Sequence, residues 1–431
     1  MSVMPERKSG ELVRAVGFWG LVAMCINAVV GSGVFLLPAE SYKLLGPFSL
    51  WAPLLFAIPV FILVLCFAEA ASHFSEPGGA YLYTKTAFGD FVGFETGWMN
   101  WIARVTSLAS LANGFVLALG LLFPSVKLGG QRAAVIISTI VILAIIHFVG
   151  VKYGAASIYV FTWGKLLPLI GFIVIALFAW RNNPIPGSFT LPGAGTDWPA
   201  ATLLLLFAYA GFENLGVPAG EFKNPRRDLP LALLAGTFAI AVVYVLAQFG
   251  AMSALPDLSH TDTPIQSAAQ ALVGPVGAFI VTIGALLSMA GTNSGTMLEG
   301  SRMLYALARD RRMGPIAYVH PRFHTPSVAI VIHTVVALAL ALGGSFVQLA
   351  MLSAVARLTT YLFTCLAIPR LRKLNEGFRT PGLIVPILGT LISLALFYFA
   401  VGPERLRAGG YALLVGALVY LVSRPRKTTA V

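Results

Sequence analysis

The sequence predicts an all-α integral membrane protein in which two five-helix repeats of opposite orientation are followed by two further spans. Three observations predict it. Hydrophobic residues make up 58% of the 431 and charged residues only 11%, where a soluble domain carries roughly 25% charged, and the mean hydropathy is +0.84. The apolar residues gather into 12 segments able to cross a hydrocarbon core, which takes about 20 helical residues each. Two of those segments, five apart, are interrupted by glycine in mid-span. That pattern points to inverted repeats with a binding site between broken helices.

The segments fall near 16–39, 48–74, 91–123, 132–149, 156–180, 198–217, 231–254, 271–308, 327–342, 345–367, 381–400 and 407–422, the third and eighth overrunning a bilayer. Residues 16–180 form the first repeat, 198–367 the second and 381–422 the appended pair, between a short head (1–15) and tail (423–431). An odd number of spans per repeat forces the inversion. The first span carries Gly31-Ser32-Gly33 near its middle. Glycine costs about 1 kcal/mol against alanine in a helix interior, and opened backbone in hydrocarbon is tolerated only where it lines a cavity. The span is therefore expected to open where something polar binds; close packing through small residues is the competing account of Gly31 and Gly33. The sixth span is interrupted at Ala210-Gly211-Phe212-Glu213-Asn214-Leu215-Gly216.

The net charge of +12 follows topology and calls for no nucleic acid. With the N-terminus in the cytoplasm, 19 Lys and Arg fall on the cytoplasmic side and 6 on the outer side, as the positive-inside rule demands. Both termini are then cytoplasmic, in an inner or plasma membrane. The clusters Lys223/Arg226/Arg227, Arg309/Arg311/Arg312, Arg370/Arg372/Lys373 and Arg424/Arg426/Lys427 are topology signals first and contacts for anionic lipid second. A cleaved leader is not expected, because the first apolar run is long and lacks a small-residue cleavage site. Cys25, Cys66 and Cys365 sit singly in apolar spans without metal or redox spacing, so no metal or cofactor is expected. After segment two, Pro77-Gly78-Gly79 stops a helix and the aromatic run Tyr81-Leu82-Tyr83 suits a short interfacial helix. Its repeat counterpart is Leu255 to Leu272. Both are gate-sized elements or ordinary loops.

At several places the chain resembles the amino acid–polyamine–organocation superfamily of amino acid permeases. Gly31-Ser32-Gly33-Val34-Phe35-Leu36-Leu37-Pro38 is similar to the family's first-helix motif, and Glu76-Pro77-Gly78-Gly79-Ala80-Tyr81 with Ala87-Phe88-Gly89 to its second-to-third helix signature. Phe207-Ala208-Tyr209-Ala210-Gly211-Phe212-Glu213 resembles the sixth-helix motif and Lys223-Asn224-Pro225-Arg226-Arg227-Asp228-Leu229-Pro230 the loop after it. Gly300-Ser301-Arg302-Met303-Leu304-Tyr305 onward resembles the end of the eighth helix. The matches run in order from residue 20 to about 370, which makes them specific together. The resemblance implies the LeuT-type five-plus-five fold and secondary transport of amino acids or related amines.

The residues suit that implication. An amino acid zwitterion needs donors for its carboxylate and acceptors for its ammonium. N–H groups freed around Ser32, Gly33 and Val34, at the positive end of the outer half-helix, can hold a carboxylate. Carbonyls released near Asn27, Ala28 and Val29, and near Phe207, Ala208 and Ala210, can accept from the ammonium. Glycines at 31, 33 and 211 let a ligand approach the backbone. Phe207 occupies the place where some relatives carry an aromatic that closes over substrate.

Lys165 lies nine residues into the fifth span, roughly 14 Å from one surface, so a partner or a water-filled cavity is expected. By resemblance, a fifth-helix lysine in sodium-independent members fills the place of a sodium ion between the first and eighth helices. Its ammonium would meet carbonyls near Ala23 and Ile26 and hydroxyls such as Ser288 or Thr292. Burial disfavours the ammonium and carbonyl acceptors favour it, so alternating access can switch its proton occupancy; a permanently charged brace is the other reading. Arg104 and Arg357 are also deep, with Glu69, Glu95, Glu213 and Glu299 as candidate partners. Glu213 either fixes the unwound sixth segment by accepting backbone N–H bonds or titrates. Glu299 and Arg302 read as an intrahelical pair or part of an inner gate, and His147 and His333 as packed histidines.

Enzyme motifs are missing: there is no HExxH, CxxC or Gly-x-Ser-x-Gly. The expected function is a secondary active transporter of L-amino acids, sodium-independent and either proton-coupled or exchanging, with membrane lipid and protons as its other partners. An antiporter of cationic amino acids or polyamines is the alternative, and a non-transporting sensor on the same fold a remote one. Gly295 stands where some arginine-exchanging relatives carry a tryptophan, and Glu213 is the one acid at the expected site. Both favour a neutral substrate.

Overall fold

The computed structural model describes residues 16–75, 78–150, 154–180, 191–193, 196–217, 219, 222–374 and 377–423. The head 1–15, Glu76 and Pro77 of the expected helix stop, and the Arg424/Arg426/Lys427 cluster lie outside them. Fifteen α-helices are present among the described residues: α1 (Phe18–Val29), α2 (Gly33–Leu45), α3 (Ala52–Ser72), α4 (Ala80–Phe88), α5 (Asp90–Leu122), α6 (Gly129–Val149), α7 (Gly154–Ala179), α8 (Trp198–Tyr209), α9 (Pro225–Ala254), α10 (Pro264–Val273), α11 (Pro275–Arg311), α12 (Ser327–Gly343), α13 (Phe346–Leu371), α14 (Ile384–Ala400) and α15 (Pro403–Val422). Eight of them are long and apolar enough to cross a membrane, nine if α1 and α2 count as one bent span, while α8, α12 and α14 are apolar but shorter. Each expected apolar segment carries a helix. The overruns of the third and eighth segments are real, since α5 has 33 residues and α11 has 37.

Helix starts follow local chemistry. Proline opens α9, α10, α11 and α15 at a first-turn position, where its missing N–H would have no partner in any case. Asp197 caps α8 by accepting from Ala200 N at 2.9 Å, and Ser345 with Gln348 forms a capping box on α13. The short helix expected after Gly79 is α4, and its expected counterpart contains α10.

The layout is central against peripheral. α5 packs along α11 and α13, and α9 along α1 and α3. In the apolar window of α13, 78% of residues are buried, against 6% for α15, so α13 stands inside the bundle and α15 faces lipid. The exposed Ile142, Ile145, Leu391 and Leu414 belong to that lipid-facing rim, where apolar exposure is favourable.

At the end of the molecule where α4 lies, polar contacts close the bundle. Tyr81 donates to Asp310 at 2.6 Å and Lys85 to the same carboxylate at 2.9 Å, tying α4 to the end of α11. Val16 pairs with Phe222 in an isolated parallel bridge, and Lys223 N donates to Val16 O at 2.9 Å. Arg372, expected as a topology charge, has a structural duty. It forms a two-pronged pair with buried Glu69, whose Oε2 also accepts from Thr380 N (3.0 Å) and its hydroxyl (2.6 Å). Glu69 is therefore no partner for Arg104 or Arg357. The cysteines are free and buried, but Cys66 and Cys365 converge: a Cβ at Gly389 would lie 2.9 and 2.8 Å from their sulfurs. Sequence separation hid that neighbourhood.

Gly236 of α9 faces α1 with no room for a side chain, a Cβ there falling 2.7 Å from Cys25 Sγ. Gly236→Val is expected to cost about 1–3 kcal/mol through overpacking, read as a lower Tm of the detergent-purified protein. Gly295→Ala, which meets nothing within 4 Å, should leave Tm unchanged or raise it.

Candidate substrate site

The first break is where the sequence places it. α1 ends at Val29, Val30 turns out of the helix with ψ 89°, and α2 restarts at Gly33, bent by 43°. The second break differs in form from the first. α8 ends at Tyr209, Ala210 is extended (ψ 147°), and Gly211 takes φ +133°, a conformation that favours glycine. Only a three-residue 3-10 turn, Phe212–Asn214, follows. Among the described residues no α-helix resumes before α9, so the sixth segment passes from helix into turns rather than into a second half-helix.

The two breaks press on each other. A Cβ at Gly33 would lie 3.0 Å from Ala208 Cα, and one at Gly211 2.5 Å from Ala28 O. This contact requires both glycines. Tyr244 of α9, unremarked in the sequence, joins the breaks by donating to Ala208 O (2.8 Å) and Val29 O (3.2 Å). Two carbonyls expected to be free for a ligand thus already accept from the protein, and Phe207 O accepts from Ala210 N at 3.2 Å. A phenol on a neighbouring helix gives no periodic signal.

Lys165 is fully buried. Its Nζ donates to Asn27 O (3.1 Å), Val30 O (2.7 Å) and Thr292 Oγ1 (3.3 Å). The expected acceptors near Ala23 and Ile26 are displaced by one turn. The reason is local: Ile26 O accepts from Val30 N at 2.8 Å, while the carbonyls of Asn27 and Val30 lose their helical partners at the break. The ammonium takes the place of the missing N–H groups. Ser288 contacts the same backbone rather than the lysine, donating to Val30 O and Gly31 O, each at 3.0 Å.

Glu213 is the hub of the second break. Its Oε2 accepts from Gly211 N at 2.8 Å, the fixing bond the sequence suggests. Its Oε1 accepts from Arg104 Nη2 at 2.5 Å, from Arg357 Nη1 and from Asn214 Nδ2. Arg357 also donates to Ser107 Oγ (2.7 Å) and Ser353 Oγ (3.3 Å). Arg104 Nη1 reaches Glu299 Oε2 at 3.1 Å, so Glu299 pairs across helices, from α11 to α5. His147 meets Ser294 at 3.0 Å and His333 accepts from Trp101 at 3.1 Å. Both are packed in place.

Between the breaks lies a small cavity of about 20 Å³, room for little more than a water as it stands, so a larger ligand must part its walls. Ala28, Val29, Ser32, Gly33, Phe207, Ala208, Ala210 and Thr292 line it, as do Arg104, Ser107, Leu111, Thr296 and Arg357, which the sequence did not assign to it. Asn27, Val34, Lys165, Gly211, Glu213 and Ser288 are not in the lining; of these, Lys165, Gly211, Glu213 and Ser288 hold the backbone of the breaks. Ser32 Oγ and Asn27 Oδ1 are buried without a hydrogen-bond partner among the described residues. Ser32 lines the cavity, and an orphan there calls for a ligand or water; Asn27 lies outside the lining. Phe207 packs edge-on against Phe346 at 6.2 Å. Beyond Phe346 a second, larger cavity of about 220 Å³, bordered by Glu40, Lys127, Arg132 and Asp262, opens at the end of the molecule opposite α4.

The family model for amino acid permeases matches residues 16–423. The chain is 28% identical to the serine/threonine exchanger SteT of Bacillus subtilis (strain 168), over 97% of this chain and 98% of that protein. It is 26% identical to the branched-chain amino acid permease BcaP of the same organism, over 96% of this chain and 94% of that one. Uncharacterized transporter Rv1979c of Mycobacterium tuberculosis is 27% identical over 84% of this chain and 81% of its own. These are transporters and not enzymes, and the chain belongs to the amino acid permease family.

Proposed function

We propose that this permease is a sodium-independent secondary transporter of neutral L-amino acids that works by alternating access, with substrate held between the two breaks. The observation that carries the reading is Lys165 Nζ seated on Asn27 O, Val30 O and Thr292 Oγ1. Carbonyls and hydroxyls gathered at an opened helix are the ligand set of a hard monovalent cation. Here a tethered ammonium supplies that charge, so no free sodium is needed to complete the site.

In this reading the substrate carboxylate accepts from Ser32 Oγ and from the N–H groups of Ser32, Gly33 and Val34, which start α2 without intrahelical partners. The substrate ammonium donates to the carbonyls of Ala28 and Ala210, which border the cavity. Phe207 and Phe346 part to admit substrate from the wider cavity on the outer side. The α4–α11 contacts and the Val16–Phe222 bridge seal the cytoplasmic side and release on inward opening. The twelve spans form a LeuT-type arrangement of 16–180 and 198–367 with 381–422 appended, both termini facing the cytoplasm from the inner or plasma membrane. Transport is proton-coupled or an exchange. Loss of the Lys165 proton in the inward state would free the α1 carbonyls and link the cycle to protons; a lysine charged throughout would leave exchange.

Reconstituted into proteoliposomes, the chain is expected to take up or exchange L-amino acids equally well in sodium and in choline; strict sodium dependence would overturn the Lys165 reading. Lys165→Ala should abolish net uptake, and unchanged transport with an unchanged pH profile would reduce the residue to a spare brace. Gly31→Leu, whose first side-chain carbon would already stand 3.3 Å from Thr292 and 3.4 Å from Leu111, should eliminate substrate binding in a scintillation proximity assay while the protein still inserts and elutes as a single species.

A further inference from the structure

We propose that Arg104 and Arg357 make the cavity selective for small neutral amino acids bearing a side-chain hydroxyl and close it to cationic amino acids and polyamines; this rests on the transport reading above. The first support is charge placement. Both guanidiniums border the cavity, and no carboxylate does among the described lining residues. Glu213 and Glu299, which balance the arginines, stand behind them. A cationic side chain would be buried with no free carboxylate to meet it, its natural partners Glu213 and Glu299 being already engaged by the arginines.

The second support is an unfilled donor. Arg104 is 3% exposed, its two Nη atoms serve Glu213 and Glu299, and its Nε is buried without a hydrogen-bond partner among the described residues. A buried donor left orphaned is costly, and one bordering a ligand cavity is satisfied when the ligand brings an acceptor. A hydroxyl oxygen is such an acceptor, and its proton can be returned to Ser107 Oγ or Thr296 Oγ1, both in the same wall. A carboxylate fits less well. Glu213 and Glu299 already neutralise the two arginines, so no net positive charge is left to hold a second anion.

The third support is size. In this conformation the cavity is about 20 Å³, so the α-amino and α-carboxylate groups as well as the side chain must displace its walls, which Thr292, Leu111 and Phe207 close. Little depth is left for leucine, phenylalanine or an extended amine. Arg104 thus reads the side chain, while Arg357, with three hydrogen bonds to Glu213, Ser107 and Ser353, holds the wall in register.

The test compares direct uptake of labelled L-threonine, L-valine, L-leucine, L-lysine, putrescine and L-aspartate by the full chain in proteoliposomes. Threonine and valine have the same shape and differ in the hydroxyl. A preference for threonine over valine of about tenfold or more is expected, as for sites built around a substrate hydroxyl, with lysine, putrescine and aspartate excluded. Arg104→Lys keeps the positive charge but lacks Nε, and is expected to collapse the threonine-over-valine ratio while lysine stays excluded. Valine matching threonine, lysine or putrescine entering as well as threonine, aspartate ahead of threonine, or an unchanged ratio in Arg104→Lys would each overturn the proposal. Should that variant not elute as a single species, the ratio in the native chain decides alone. Uptake of leucine but not threonine sinks the selectivity and leaves the transport reading standing, whereas no uptake of any amino acid sinks both.

Discussion

Everything at the centre of this protein depends on one constraint: backbone opened in the middle of a membrane must find partners there. Two helices stop in mid-span, and hydrocarbon offers their carbonyls and amides nothing. The protein supplies substitutes one by one. Lys165 takes Asn27 O and Val30 O, Ser288 takes Gly31 O, Tyr244 takes Val29 O and Ala208 O, and Glu213 takes Gly211 N. These donors and acceptors come from α7, α11, α9 and the second break itself. Satisfying the breaks therefore ties the opened α1 and α8 to α7, α9 and α11.

Buried charge follows from the same requirement. Glu213 could not accept from Gly211 N in a dry interior without compensation, because an isolated carboxylate there is prohibitively costly. Arg104 and Arg357 provide it, and their excess charge is met by Glu299. The hydroxyls of Ser107, Ser353 and Tyr361 complete the shell. The network fastens the second break to α5 and α13, the most enclosed helices, and presents two guanidiniums to the cavity. Stability of the break and chemistry of the site are then set by the same side chains.

The two ends of the molecule are closed to different degrees. Around α4 the closure is polar and many-membered, combining Tyr81, Lys85 and Asp310 with the pairing of Val16 and Phe222. At the other end one aromatic pair, Phe207 and Phe346, lies between the small cavity and the larger one. Separating an aromatic pair exposes apolar surface but breaks no ion pair. Parting Lys85 from Asp310 breaks one, leaving Lys85 beside Asp90 and Asp310 beside Arg309.

Much of the architecture was legible in the chain itself. Composition and apolar run length placed the helices, including the overlong α5 and α11, because hydrocarbon thickness leaves few lengths to choose from. Glycine content located both breaks, since Gly31, Gly33 and Gly211 carry a conformational and steric signature readable one residue at a time. The buried Lys165 announced its need for acceptors through its depth alone. Partner identity was not legible in the same way. The lysine's acceptors lie one turn beyond those expected, Arg372 claims Glu69, Arg104 claims both Glu213 and Glu299, and Tyr244 bridges the breaks from a helix with no unusual pattern. The sequence by itself determined where backbone would open and that buried charges must be paired, because both are local costs. Only the tertiary structure decided which side chain meets each cost, since that depends on which helix faces, within 3 Å or so, residues more than 100 positions away.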